Sequence, residues 1–110
     1  MTTDLKEARV VGRDADTWRL FCGDELCGEI TVDDVDWPWT YGVFVATPVF
    51  AKVKPLFERE LGLLEEIGED SQAWEAAYDE VAAAASLVSP RGPVAEFLLH
   101  IEGDRAWFRT

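Results

Sequence analysis

The run from Phe97 to Arg109, FLLHIEGDRAWFR, restricts the possible folds more than any other stretch of the chain. Gly103-Asp104 has the chemistry of a two-residue hairpin turn, which sets Glu102 opposite Arg105. Alternation then puts Phe97, Leu99, Ile101, Ala106 and Phe108 on one face, and Leu98, His100, Glu102, Arg105, Trp107 and Arg109 on the other. The first face is too apolar to meet water and must be core, so the remainder of the chain has to cover it.

A second hairpin is predicted from Thr17 to Val32. Pairing Cys22 with Leu26 collects Trp18, Leu20, Cys22, Leu26, Ile30 and Val32 on one face, leaving Arg19, Phe21, Cys27, Glu29 and Thr31 on the other. A two-residue Gly23-Asp24 turn is also good hairpin chemistry, but it shifts the register by one and mixes the faces, so the first register is preferred. Residues 5–12 read as an edge strand. Asp33–Trp39 reads as a loop, because Pro38 lacks a ladder donor and Asp is a poor strand former. Thr40–Ala46 is apolar on both sides, as a central strand is.

Thr47-Pro48 opens a helix, with Thr as N-cap and Pro at the first helical position. Val49, Phe50, Val53, Leu56, Phe57, Leu61, Leu64 and Ile67 recur at three and four residues until Gly68, and Pro55 is expected to bend or divide the helix near Lys54. Asp70 or Ser71 caps a second helix with an inner stripe of Trp74, Tyr78, Val81 and Ala85. Leu87-Val88 reads as a short strand and Ser89-Pro90-Arg91-Gly92 as a turn, after which Val94 begins the last hairpin. Strands, then helices, then strands predict a single α+β domain over residues 1–110: a mainly antiparallel sheet, with hairpins at both ends of the chain and two helices on one face.

With 22 Asp and Glu against 10 Lys and Arg, the net charge of −12 repels phosphate backbones and anionic lipid. Direct nucleic-acid or membrane binding is therefore not expected, and a basic protein is the favoured partner class. Hydrophobic residues make up 48% of the chain, enough for a core, so the acidity is not that of a disordered chain. No apolar run approaches the roughly 20 residues that span a bilayer, and the polar start MTTDLKEARV reads as cytoplasmic. Cys22 and Cys27, placed on opposite strand faces by the preferred register, are predicted to be free thiols.

No catalytic residues, metal or cofactor are predicted. His100 is the single histidine, set across from Trp107 as a half-exposed strand residue, and no nucleophile is placed beside it. Two cysteines on opposite faces do not make a zinc site. Counting a calcium loop from Asp34 puts Trp39 where glycine is needed and Val45 where the bidentate Glu belongs. Among 22 acids, nothing singles out a pair for glycoside hydrolysis.

The predicted site is a binding surface. Between Glu58 and Glu80, nine acids face Arg59 alone, concentrating −8 of the charge on the two helices. Of these, Glu58, Glu65, Glu66, Glu69 and Asp70 are candidates for contact with a partner. Asp33, Asp34 and Asp36, beside Trp37, Trp39 and Tyr41, supply a second set, in which aromatic rings anchor and carboxylates steer.

The string Asp36-Trp37-Pro38-Trp39, Gly42, Phe44, Thr47-Pro48 and Phe50, followed by Pro55-Leu56-Phe57 and Glu60, resembles a family of small uncharacterised bacterial proteins that end in a segment similar to Glu96–Phe108. The resemblance spans most of the chain beyond residue 30. It implies a small α+β domain and no particular activity. On the residues themselves, the expected function is that of a non-enzymatic protein-binding module, an immunity or inhibitor protein that occludes a basic toxin, nuclease or defence factor. The alternative is a small-ligand or enzyme-accessory domain with a pocket between sheet and helices.

Overall fold

The computed structural model describes residues 17–65 and 71–110. Seven strands, β1 (Thr17–Cys22), β2 (Glu25–Asp36), β3 (Trp39–Ala46), β4 (Ser86–Ser89), β5 (Gly92–Pro93), β6 (Leu98–Glu102) and β7 (Arg105–Arg109), form one antiparallel sheet in the order β5-β4-β1-β2-β3-β7-β6. A 3₁₀ turn (Pro48–Lys52), helix α1 (Lys54–Glu65) and helix α2 (Gln72–Ala84) lie between β3 and β4. The fold is α+β. The strand expected over residues 5–12 falls outside the described residues.

The last hairpin has the predicted register, Leu99 opposite Phe108, Ile101 opposite Ala106 and Glu102 opposite Arg105, with Gly103 at φ 61° in its turn. β3 is central, between β2 and β7. Its Gly42 faces Ala106, and a Cβ there would stand 2.5 Å from the Thr31 carbonyl oxygen, so only glycine lets β2 and β3 pair this closely. β6 starts at Leu98 and not at Val94. The Val94 N–H still bonds the Leu87 carbonyl (2.9 Å), so the chain is tracking β4 at that point and is not yet free to join β7.

The first hairpin combines both turn readings. Cys22 pairs with Glu25 across the two-residue Gly23-Asp24 turn, yet Trp18 pairs with Ile30 as the longer loop requires. A bulge reconciles them. The pairing shifts between Leu20 and Phe21, where Leu20 faces Gly28 and Phe21 faces Leu26, so Cys27 is the extra residue. This corrects the placement of the cysteines on opposite faces. Cys27 is buried in the core, with Cys22 packed against it and within hydrogen-bonding reach of its thiol. Both are free thiols.

The helical segment divides where Pro55 demands it. The 3₁₀ turn ends at Lys52 with Val53 as its C-cap and α1 begins at Lys54, so Pro55 falls in a first turn, where its missing N–H breaks no bond. Thr47 caps the 3₁₀ turn, accepting from the Val49 N–H (3.2 Å) while its hydroxyl donates to the Leu26 carbonyl (2.5 Å), which fastens the helical layer to the bulged part of β2. Phe50, Val53 and Phe57, with Tyr78, Val81 and Ala85, pack on the sheet face made by Leu20, Ile30, Phe44, Leu87, Leu99, Ile101, Ala106 and Phe108. Each large side chain buried there contributes about 1.5–3 kcal/mol. Ser71 precedes α2, but its hydroxyl bonds the Glu75 carboxylate (2.9 Å) and caps no backbone N–H.

Candidate functional site

Asp33–Trp39 is not a loop. β2 continues through Asp36 and β3 resumes at Trp39, with Trp37 and Pro38, joined by a cis peptide, as the turn. Proline needs no ladder donor at a turn position, and a second bulge between Val32 and Asp34 keeps the pairing in step, giving Asp34 opposite Tyr41 and Asp36 opposite Trp39. The hairpin therefore carries an exposed tip of its own.

At that tip Trp37 is 88% exposed and Val35 is 63% exposed. Asp36 makes no hydrogen bond or ion pair to a described residue, and Asp34 is held by the Val35 N–H, which donates to its Oδ1 (2.9 Å). A bare indole at the end of a strand segment that carries Asp34 and Asp36 gives an apolar contact close to two carboxylates. Trp39 and Tyr41 behave otherwise. Both are half-buried; Tyr41 pairs with Trp107, and the Trp39 ring has the Arg109 guanidinium 5.8 Å from its centroid on the neighbouring strand. Asp33 is already committed, taking Arg105 in a two-pronged bridge at 2.6 and 3.0 Å. That bridge holds its carboxyl below the usual range.

The helical acids form a separate patch. Glu58 and Glu65 are exposed on α1, Glu58 loosely paired with Lys54 (3.9 Å), while Glu66, Glu69 and Asp70 fall outside the described residues. Glu80 on α2 meets Arg59 (3.1 Å). The acids of the hairpin and those of the helices are carried by different elements, β2 and the two helices.

No family model, curated protein or solved structure matches this chain.

Two residues that sequence reasoning left at the surface prove to be the most enclosed polar groups. Glu60, counted among the outward acids, is 0% exposed, and His100, expected to be half-exposed, is 2% exposed. Glu60 Oε1 accepts from the Trp74 indole N–H (2.8 Å) and lies 2.8 Å from His100 Nδ1, a short contact that lacks the alignment of a full hydrogen bond. Its Oε2 has no partner among the described residues. The rings of Trp107 (5.5 Å), Trp39 (5.8 Å) and Tyr78 (6.5 Å) close around the imidazole. Enclosed in this way, His100 cannot reach a substrate. The group ties α1, α2 and β6 together.

The signal for Glu60 was present in the spacing. Val53, Phe57, Glu60 and Leu64 follow one another at four, three and four residues, so a core-facing stripe passes through position 60. Among the described residues, no group of three or more His, Cys, Asp or Glu side chains could hold a metal ion, and no helix is long and apolar enough to cross a membrane.

Proposed function

We propose that this protein is a non-enzymatic binding module of the immunity or inhibitor type, which occludes a basic partner protein with the tip of its β2–β3 hairpin. The observation that carries the reading is Trp37, exposed to 88% at the turn that follows Asp34, the exposed Val35 and Asp36. A large ring held in water by a two-residue turn adds nothing to the core, and Trp is among the side chains that most often dominate binding energy. The net charge of −12 favours a positively charged partner, such as a toxin, nuclease or defence factor, and disfavours nucleic acid itself. The free thiols of Cys22 and Cys27 support a reducing, cytoplasmic setting for this encounter.

The test is capture of partners from cell extract by the full chain, followed by association and dissociation kinetics of the captured protein at low and high salt. The captured protein is expected to carry net positive charge. Asp34→Lys with Asp36→Lys should slow association, with the effect shrinking as salt rises; Trp37→Ala should leave association nearly unchanged and speed dissociation about 30-fold, equivalent to about 2 kcal/mol. A partner whose kinetics ignore both variants, in protein shown to be folded, overturns the assignment of the tip.

A further inference from the structure

Between α1, the 3₁₀ turn and the turn of the β6–β7 hairpin lies a cavity of about 440 Å³, within the size range of small-molecule sites. It opens beyond the far end of β3, well away from Trp37. Its floor is apolar, made by Phe50, Phe57, Leu61 and Ile101. Its rim is anionic: Glu58, Glu65 and Glu102 stand around it against Lys54 alone, and neither Glu65 nor Glu102 forms an ion pair with a described residue.

Gly62 also lines this cavity, within α1. Glycine inside a helix is unfavourable relative to alanine, and here it has neither of its usual justifications. Its φ is not positive, so it is no left-handed cap. A Cβ built on it meets nothing within 4 Å, so close packing does not require it either. What the missing side chain does is keep one wall of the cavity clear.

We infer that this cavity is a binding site for a small organic monocation, a primary ammonium on a short alkyl or arylalkyl chain, with the chain on the Phe50–Phe57–Leu61–Ile101 floor and the ammonium at Glu65 and Glu102. Charge complementarity selects this occupant. An anionic ligand of the same shape would meet three carboxylates and one lysine, and a neutral one would leave the free carboxylates of the rim without a counter-charge. The inference does not depend on the hairpin tip, and either assignment could fail without the other.

The experiment is an amide chemical-shift titration of the intact protein with phenethylammonium chloride, compared with 3-phenylpropionate and 2-phenylethanol. Saturable shifts are expected at Gly62, Ile101 and Gly103 with the ammonium, and at least tenfold weaker binding with the other two probes. Glu65→Gln with Glu102→Gln should weaken the ammonium about tenfold or more. Gly62→Leu should abolish binding by filling the wall, and Gly62→Ala, which restores helix propensity, should raise the melting temperature by about 4–8 °C and so show that the helix itself tolerates a side chain. Absence of saturable shifts with the ammonium, equal binding of the carboxylate, or shifts that persist in a folded Gly62→Leu variant would each overturn the assignment.

Discussion

Tyr78→Phe isolates one oxygen atom. In the folded chain, Tyr78 Oη accepts the Leu99 N–H (2.8 Å) and donates to the Phe97 carbonyl (3.0 Å), using backbone groups of β6 and its approach that β7 leaves unused. Leu99 is fully buried, so its amide would be orphaned at a cost of about 1–3 kcal/mol, while the half-buried Phe97 carbonyl would recover water in part. The substitution should therefore destabilise the fold by about 2–3 kcal/mol at pH 7, with the ring still stacked on Trp74 (centroids 5.6 Å apart). A second signature follows from titration. Burial pushes the Tyr78 phenol from 10.0 up to about 12, against the opposing pull of the Leu99 amide. The unfolded chain therefore loses this proton first, at about pH 10. The stabilisation is complete below that pH and declines as pH rises to about 12, by about 2–3 kcal/mol in all. Phenylalanine has no such proton, so the gap between wild type and Tyr78→Phe should close across this alkaline window, with Tyr41 common to both. Urea unfolding followed by far-UV circular dichroism, at pH 7 and in steps from about 9.5 to 11.5, measures both effects. A cost below about 0.5 kcal/mol at pH 7, or a gap that stays constant up to about pH 11.5, would falsify the account of Tyr78 as the clasp on β6.

Two further perturbations test the interior. Glu60→Ala removes the acceptor shared by Trp74 and His100 and opens a void between α1, α2 and β6; a loss of about 3–5 kcal/mol in chemical denaturation is expected, whereas Glu60→Gln, which keeps an acceptor for the indole, should lose distinctly less. Burial, reinforced by Cys22, pushes the Cys27 thiol up to about 11 from 9.0, so at neutral pH its thiolate fraction is about 100-fold below that of an ordinary thiol; alkylation of native protein followed by mass spectrometry should show Cys27 reacting at least that much more slowly than after denaturation.

The elements with strong local chemistry were readable from the chain. Gly103-Asp104 set the last register, Pro55 divided the helical segment, and the apolar run around Val43 and Phe44 marked a central strand. Two of the misreadings, the cysteine placement and the Asp33–Trp39 loop, share a cause: each depended on a strand tolerating an irregularity that the ideal two-residue period does not contain. A bulge at Cys27 let a short turn and a longer register coexist, and another near Asp33 let β2 run on through acids that looked like a loop. The candidate site was legible in composition but not in exposure. Trp37, Trp39 and Tyr41 follow one another at every second position, and only their places in the turn and beside β7 separate one bare ring from two covered ones. Glu60 was hidden by its type, since its spacing marked a core position that a carboxylate seldom fills.

Among the described residues, the outermost strands of the sheet bear on how this protein can meet others. One of them, β5, has two residues and ends in Pro93, so it offers little backbone to an incoming chain. The other, β6, has its Leu99 amide occupied by the Tyr78 hydroxyl. Addition of a partner segment, or rim-to-rim stacking of copies, at these described margins meets brevity at one and a phenol at the other. Loss of the hydroxyl in Tyr78→Phe would do more than lower stability. It would free the Leu99 amide on the longer margin for pairing with another chain.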